Sequence, residues 1–350
     1  MVTGNLTEED LNFLEKFNFN SPKTIFNKGL DVLKRINSGQ LRPLLSSIGL
    51  ENNLTGGYYP TDQLAIVGKS RSGKSTRLLS LIDDFINPVI NPTYENKLII
   101  LYNSWEISAW RNSLKLLSKQ ASKSMEELLD YHVEMKKEQI VMLEQLAEKF
   151  YDKPLFINSN STSARNWYDT NVNIAERFPN HTILIATDHT RLITMGNITS
   201  EEALITQMMH YSVKLKNEKE TINIFLSQLN RNYETNSRTR GGVLGEALPT
   251  SDDIFGADSV NQTSDIIMAL HRPGLYNLYD FPFQGKRIRT GLGSNGEEDD
   301  LLIENFIKHR HSKEGVIAIK QILKYGQYRE FNTQEKLERT VGNKRGFLQE

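Results

Sequence analysis

Gly68-Lys69-Ser70-Arg71-Ser72-Gly73-Lys74-Ser75 follows the apolar run Leu64-Ala65-Ile66-Val67 and precedes a helical pattern through Leu78, Leu79, Leu81 and Ile82. The stretch fits G-x-x-x-x-G-K-[ST], and its strand–loop–helix flanks are the context that this phosphate-binding pattern requires. The glycines let the backbone curl so that N–H groups converge on phosphate oxygens. The helix that follows offers its positive end to the same anion. Gly68, Ser70, Ser72, Gly73, Lys74, Ser75 and Thr76 are therefore the candidate nucleotide-binding residues. Among them Lys74 would reach the β- and γ-phosphates, and the Ser75 hydroxyl would sit on a magnesium ion. An ordinary glycine- and serine-rich surface loop would lack the two flanks.

Working outward, strand-like runs alternate with helical patterns. Strands are expected at residues 64–67, 98–102, 155–157, 182–186, 222–226 and 265–270. Helices are expected near 75–85, 109–119, 125–150, 164–177 and 201–218. Such alternation predicts an α/β fold with a mainly parallel sheet flanked by helices on both faces. A short helical segment precedes it. Thr7 and Asp10 form a capping-box pattern there, with Leu6 and Leu11 as a hydrophobic staple. A second helix opens at Ser21-Pro22, repeats Ile25, Gly29, Val32 and Ile36, and stops at Ser38-Gly39. Residues 236–253 read as a long loop and 273–300 as irregular. Residues 303–331 read as strands with a turn at Lys313-Glu314-Gly315. The expected organisation is a helical linker segment at 1–45, an ATPase domain at 46–335 and a tail at 336–350.

Composition narrows the class. The chain of 350 residues has no cysteine, which excludes disulfides and thiolate metal sites. No apolar run reaches the roughly 18 residues that a bilayer span needs, and no signal-peptide pattern opens the chain, so a cytoplasmic protein is expected. A net charge of −1 means that any nucleic-acid contact must come from a local basic surface.

Hydrolysing ATP needs a held magnesium, a polarised water and neutralisation of the transferring phosphoryl. Asp188 ends the apolar run Thr182-Ile183-Leu184-Ile185-Ala186-Thr187, the pattern of a second magnesium ligand beside the phosphate-loop serine. Glu106 follows the strand at 98–102 and could orient water, or could be a helix N-terminal charge favoured by the dipole. Gln228 in Ser227-Gln228-Leu229-Asn230-Arg231 could sense the γ-phosphate, or be an ordinary strand-end amide. Lys308-His309-Arg310-His311 reads by itself as a solvated basic turn.

Taken in order, these blocks resemble the ATPase domain of DnaB-type hexameric replicative helicases and the related phage primase-helicases, members of the RecA-like P-loop NTPases. The resemblance spans residues 46–331. It begins with Gly49-Leu50 and Thr55-Gly56-Gly57 before the first strand. It continues through Trp105-Glu106-Ile107-Ser108, Asp188-His189, Ser227 to Arg231, and Gln262-Thr263-Ser264-Asp265-Ile266-Ile267-Met268. It implies that Glu106 is the catalytic base, Asp188 the magnesium ligand and Gln228 the sensor. It also implies that Lys308 and Arg310, followed by Gly315, form a K-x-R hairpin reaching a neighbouring subunit's γ-phosphate, Arg310 ahead of Lys308. The active site would then be complete only in an oligomer.

The same resemblance implies ATP and Mg²⁺ as cofactors, a hexameric ring, single-stranded DNA as the track, and a primase or loader as a further partner. Arg231, Arg238, Arg240 and the Gly241-Gly242 backbone are the candidate DNA contacts, with Thr190-Arg191 behind them. Two departures stand out. Ser251-Asp252-Asp253-Ile254-Phe255-Gly256 lacks the arginine usual in the family's loop block, and about 45 residues before the core are too few for the family's helical N-terminal domain. The helix from Ser21 is expected to act as the family's linker helix, docking on an adjacent subunit. Two other functions compete: a RecA-like recombination accessory, which would pair strands without separating them, and a nucleotide-switched loader or scaffold, whose ATPase would ignore DNA.

Overall fold

The computed structural model describes residues 7–17, 19–130, 132–188, 200–230, 233, 248–276, 278, 280–283, 286–289, 301–332, 336 and 340–341. The chain divides into two compact units, Met1–Pro43 and Leu44–Glu350.

The first unit holds helices α1 (Glu8–Lys16) and α2 (Pro22–Asn37). The expected caps are present. Thr7 and Asp10 exchange backbone-to-side-chain bonds at 2.8 and 3.2 Å, and the Ser21 hydroxyl accepts from the Thr24 N–H. The staple lies outside the described residues. Helix α2 has no buried residue, and Ile25, Phe26, Leu30 and Leu33 are exposed.

The second unit is built on a nine-stranded sheet. Its strands are β1 (Gln63–Gly68), β2 (Leu98–Ser104), β3 (Leu155–Asn158), β4 (Thr182–Asp188), β5 (Ile222–Gln228), β6 (Ile266–His271), β9 (Leu301–His309), β10 (Gly315–Ile322) and β11 (Gln327–Arg329). The order is β11-β10-β9-β6-β1-β5-β4-β2-β3. The six strands from β6 to β3 run parallel, and β9, β10 and β11 extend them antiparallel.

Strand β1 is buried throughout because both faces are covered. Its Leu64 and Ile66 join a cluster with Leu78, Leu81, Ile82 and Phe85 of α4 (Lys74–Phe85) and Leu116 of α5 (Ala109–Ala121). Its Ala65 and Val67 face Trp167 of α8 (Ala164–Arg177) and Leu204, Met208 and Leu215 of α9 (Glu201–Lys219). Side chains alternate across a strand, so one continuous apolar run feeds two cores.

Two expectations need correction. The long helix at 125–150 is two, α6 (Met125–Leu129) and α7 (Lys137–Tyr151). Asp130 is extended at the end of the first, and α7 opens afresh at Lys136 with Gln139 closing on its backbone, so the apolar stripe belongs to two separate helices. The stretch from 273 to 300 also contains order: β7 (Asp280–Phe283) and β8 (Lys286–Arg289) pair antiparallel, and β8 pairs with β12 (Thr340–Val341). Pro282 inside β7 disguises that strand. Between β5 and β6 stands α10 (Ala257–Thr263).

Helix α4 is held by a buried charge cluster. Arg77 Nη2 and Nε donate to Glu51 Oε2 and Glu304 Oε1, each at 2.5 Å, and all three side chains are fully buried. Glu51 lies on α3 (Gly49–Thr55) and also accepts from the Tyr58 hydroxyl. Burial raises the Glu304 carboxyl to about 7 against the pull of Arg77. A carboxyl raised this way gives its full stability below about pH 4.5, its ordinary range, and loses it as pH rises through 7. Wild-type stability should therefore fall between pH 5 and 8, and Glu304→Gln should lack that share of the slope. The difference is at most roughly 3 kcal/mol in urea unfolding. Parallel pH profiles for the two proteins would show that Glu304 stays ionised.

Candidate functional site

The loop after β1 wraps tightly. A Cβ on Gly68 would lie 2.5 Å from Ser72 Oγ and 3.1 Å from the Leu270 carbonyl, so a side chain there would have to push both aside. Gly73 has φ +93°, the left-handed region that suits glycine, and helix α4 starts one residue later. Lys74 Nζ donates to the carbonyls of Gly68 and Lys69, both at 2.9 Å. Burial pushes its ammonium down to about 8, and the charges of Asp188 and Glu106 oppose that fall. Ser75 and Thr76 follow on the first turn of α4, whose N-terminal end faces the loop.

Asp188 closes β4 and is 1% exposed. It does not sit on the strand next to the loop, since β5 intervenes between β1 and β4. Tyr102 of β2 donates its hydroxyl to Asp188 Oδ2 at 3.3 Å, and burial keeps that phenol well above its ordinary range. Glu106 is exposed in the turn after β2. That turn is locked by Asn112 of α5, whose Nδ2 donates to Ser104 Oγ at 2.7 Å and to the Ile107 carbonyl at 3.2 Å. Gln228, at the tip of β5, is the register partner of Gly68. Its carbonyl accepts from Phe255 N–H at 2.8 Å, and Asn230 N–H donates to the Asp253 carbonyl at 2.7 Å. The segment after Gln228 is thus tied to the strip at 250–255.

Lys115 is the residue that sequence reasoning missed. Burial pulls its ammonium below the ordinary range while Asp188 and Glu106 hold it up, so it faces the same two carboxylates as Lys74. A signal existed: Ser108, Asn112 and Lys115 share one helical face beginning two residues past Glu106. Lys115 also lines a cavity of about 70 Å³ together with Thr76, Ser80, Lys119, Lys324 and Tyr325.

Lys308 and Arg310 lie elsewhere. Strand β9 runs antiparallel to β6, so Glu304 pairs with Leu270 at the level of the phosphate loop while His309 pairs with Ile266 at the other end. Four residues of β6 separate these levels, about 13 Å of strand rise. Arg310 Nη1 meets Asp265 Oδ1 at 3.0 Å, its Nη2 donates to the Gln262 carbonyl at 3.3 Å, and its side chain is 48% exposed. Lys308 Nζ donates to the Asn261 carbonyl, and burial lowers its ammonium. Neither residue can reach its own phosphate loop. Arg231, Arg238, Arg240, Gly241-Gly242, His189 and Thr190-Arg191 lie outside the described residues.

Among the described residues no group of three or more His, Asp or Glu could hold a metal unaided. The pair of Ser75 and buried Asp188 suits Mg²⁺ instead, an ion that takes one or two carboxylates and fills its shell with phosphate and water oxygens.

A parallel sheet with helices on both faces, a phosphate loop at the C-terminal end of β1 and acidic residues at neighbouring strand ends define a RecA-like P-loop NTPase. Residues 47–330 match the DnaB-like helicase C terminal domain, and the chain belongs to that family. The replicative DNA helicase DnaB of Buchnera aphidicola subsp. Baizongia pistaciae (strain Bp) is 26% identical over 231 residues, 65% of this chain. That stretch is 46% of the relative's length, so the chain spans about half of the curated relative it matches. Among solved structures, one described as an ATPase domain superposes with a TM-score of 0.71 at 17% identity, covering 89% of this chain and all of that one. A DnaB-like replicative helicase described with its interactions with primase gives 0.69 at 18%, covering 87% of this chain and 67% of the other. The RecA-like expectation is borne out. Among the described residues no helix is long and apolar enough to cross a membrane.

The lowered Lys74 gives a direct test of the loop. Lys74 sheds its proton as pH rises through about 8, so nucleotide affinity should weaken above that pH. One proton allows a loss of at most about tenfold per pH unit. Lys74→Arg, charged throughout, should lack the break whatever its absolute affinity. Equilibrium binding of a fluorescent ATP analogue from pH 7 to 9.5 reads this; a wild-type curve that stays flat sinks the assignment.

Proposed function

We propose that the chain is the motor domain of a ring-forming, ATP-dependent DNA helicase that couples hydrolysis to translocation on single-stranded DNA in replication. Residues 46–335 would form the ATPase domain, 1–45 a docking segment and 336–350 a tail. One observation carries this reading. Lys74, Asp188, Glu106 and Gln228 gather at one end of the sheet, while Lys308 and Arg310 lie at the other. Lys308 and Arg310 could then serve only the γ-phosphate of a second copy. Repeating that head-to-tail contact closes a ring where the rotation between copies divides a full turn, and a hexamer is the assembly proposed.

In this reading the loop N–H groups, Lys74 and the first turn of α4 bind the phosphates of ATP. Mg²⁺, held by Ser75 and Asp188, would supply neutralisation of the β- and γ-oxygens when bound. Glu106, fixed by the Asn112 lock on its turn, orients the attacking water. Lys115 adds a second positive charge beside the carboxylates. Arg310 exchanges Asp265 for the neighbour's γ-phosphate, a contribution typically worth about 10³–10⁵ in rate. Gln228, paired with Gly68, reports the phosphate to the segment that follows. Arg231, Arg238 and Arg240 in that segment would grip the DNA backbone, whose phosphates look alike at every step. The exposed apolar stripe of α2 would dock on an adjacent copy, and a primase or loader is a candidate partner.

Complementation tests the shared site. Lys74→Ala should abolish turnover, and Arg310→Ala should cut DNA-stimulated hydrolysis at least 10³-fold, at the low end for such a finger, with nucleotide binding nearly intact. Mixing the two inactive variants should restore part of the activity, because some interfaces then pair an intact Lys74 with an intact Arg310. A mixture as dead as its parts would show that Arg310 does not act between copies. Wild-type unwinding of a forked duplex, dependent on one particular tail, would establish the motor and its direction. ATP hydrolysis stimulated by DNA without unwinding would favour the recombination accessory; a rate blind to DNA would favour the loader.

Assembly tests the docking segment separately. Deleting residues 1–40 should shift the particle mass in light scattering toward smaller species, and unchanged hexamers would sink that role.

A further inference from the structure

We propose that His271 is a positioning residue that couples the phosphate loop to the segment after Gln228, a role that rests on the motor reading above. His271 ends β6, one residue beyond Leu270, the register partner of Gly68. It is 1% exposed and packs among Tyr233, Tyr276 and Phe281. Its Nδ1 lies 3.1 Å from the Tyr233 hydroxyl. Its ring stacks on Tyr276 with centroids 5.1 Å apart and planes 8° apart, and Tyr276 meets Tyr233 edge-on at 5.9 Å. The three rings form a closed triangle.

Both ends of the triangle are attached. On one side Lys69 Nζ stands 4.9 Å from the centre of the Tyr276 ring, and Arg272 donates to the carbonyl of Arg71 at 2.7 Å. Both contacts are to the phosphate loop itself. On the other side the Tyr233 N–H donates to Asn230 Oδ1 at 3.1 Å, and Asn230 Nδ2 donates to the Asp252 carbonyl at 2.9 Å. Tyr233 and Asn230 bracket Arg231, the first of the proposed DNA contacts.

Stability alone does not account for a histidine here. An apolar ring would fill the slot, whereas His271 leaves its Nε2 buried without a partner among the described residues. Leaving such a group unsatisfied is unfavourable and calls for an explanation. Burial pushes the imidazole down to about 3, so it is neutral at working pH and able to take the Tyr233 proton in a hydrogen bond. That bond ties the end of β6 directly to Tyr233. A phosphate that draws Lys69 off Tyr276 alters the triangle, and the triangle holds the segment at Tyr233.

The test uses the full chain with Tyr233→Phe, His271→Phe and the double variant, each keeping an aromatic ring in place. ATP hydrolysis is measured without DNA and with an oligo(dT) single strand, beside the melting temperature. Tyr233→Phe should keep its basal rate, with a modestly lower melting temperature because it strands His271 Nδ1, while DNA stimulation falls about fivefold, a mid-range value for coupling through a packed network. His271→Phe should lose stimulation to the same degree, and the double variant should be no worse than either. Undiminished stimulation in either single variant overturns the proposal. So do losses that multiply in the double, or a basal rate that falls as far as the stimulation does in Tyr233→Phe. A wild-type rate indifferent to DNA removes the motor reading itself, and this proposal with it.

Discussion

A fully buried arginine is the constraint around which the ATPase unit is organised. Arg77 could not stay charged away from water without close partners, and burial works against it. Glu304 and Glu51 more than restore the charge. Those partners come from β9 and α3, elements far apart in sequence. Arg77 lies two residues beyond Ser75, so whatever fixes its guanidinium also fixes the rotation of α4 and the aim of its first turn. The Tyr58 hydroxyl completes the set by donating to Glu51, and Arg77 lies 5.3 Å from the centre of the Tyr328 ring on β11. Removing Arg77 would leave Glu51 and Glu304 buried against each other, a change of the kind that typically destabilises by about 3–5 kcal/mol. The phosphate loop is therefore set by a cluster that touches no phosphate.

The charges at the sheet's end balance in the same spirit. Two ammonium groups, Lys74 and Lys115, face two carboxylates, Asp188 and Glu106, and burial drives both lysines below their ordinary range. On the reading proposed, a nucleotide with its magnesium would enter a site already poised between signs. Tyr102 and Asn112 hold the carboxylate-bearing strand end and turn, so little reorganisation is left for the moment of reaction.

Much of this was legible in the chain. The phosphate loop declared itself because crowding at 68 and a left-handed turn at 73 both favour glycine, and the parallel strands did so because burial on both faces demands unbroken apolar runs. Asp188 was legible as a carboxylate ending such a run. What stayed hidden depends on contacts that no local pattern encodes. Lys115 and Asn112 look like surface residues of an amphipathic helix until β2 brings the turn beneath them. Arg77 reads as an exposed helix residue, since its partners are 26 and 227 positions away. The small sheet of β7, β8 and β12 was lost because its strands are short, one contains a proline, and its third member comes from near the end of the chain. The proposed finger is a different case: only family resemblance singled out Arg310, and its pairing with Asp265 adds that it is held in place before any partner arrives.

Strand β9 joins these themes. Because it runs antiparallel to β6, one strand carries Glu304 at the level of the phosphate loop and Lys308 near the opposite end, with Arg310 just beyond it. The first locks the chain's own nucleotide helix through Arg77. The second pair, on the reading proposed, addresses the nucleotide of the next copy. Glu304 and Arg310 are six residues apart, at most roughly 20 Å along a strand that bulges at Ile307 and ends at His309. A shift of α4 on nucleotide binding would press on Glu304 and be felt along the strand that bears the finger. Neighbouring sites in a ring would then be linked through a single covalent element, with no domain movement needed to carry the signal between them.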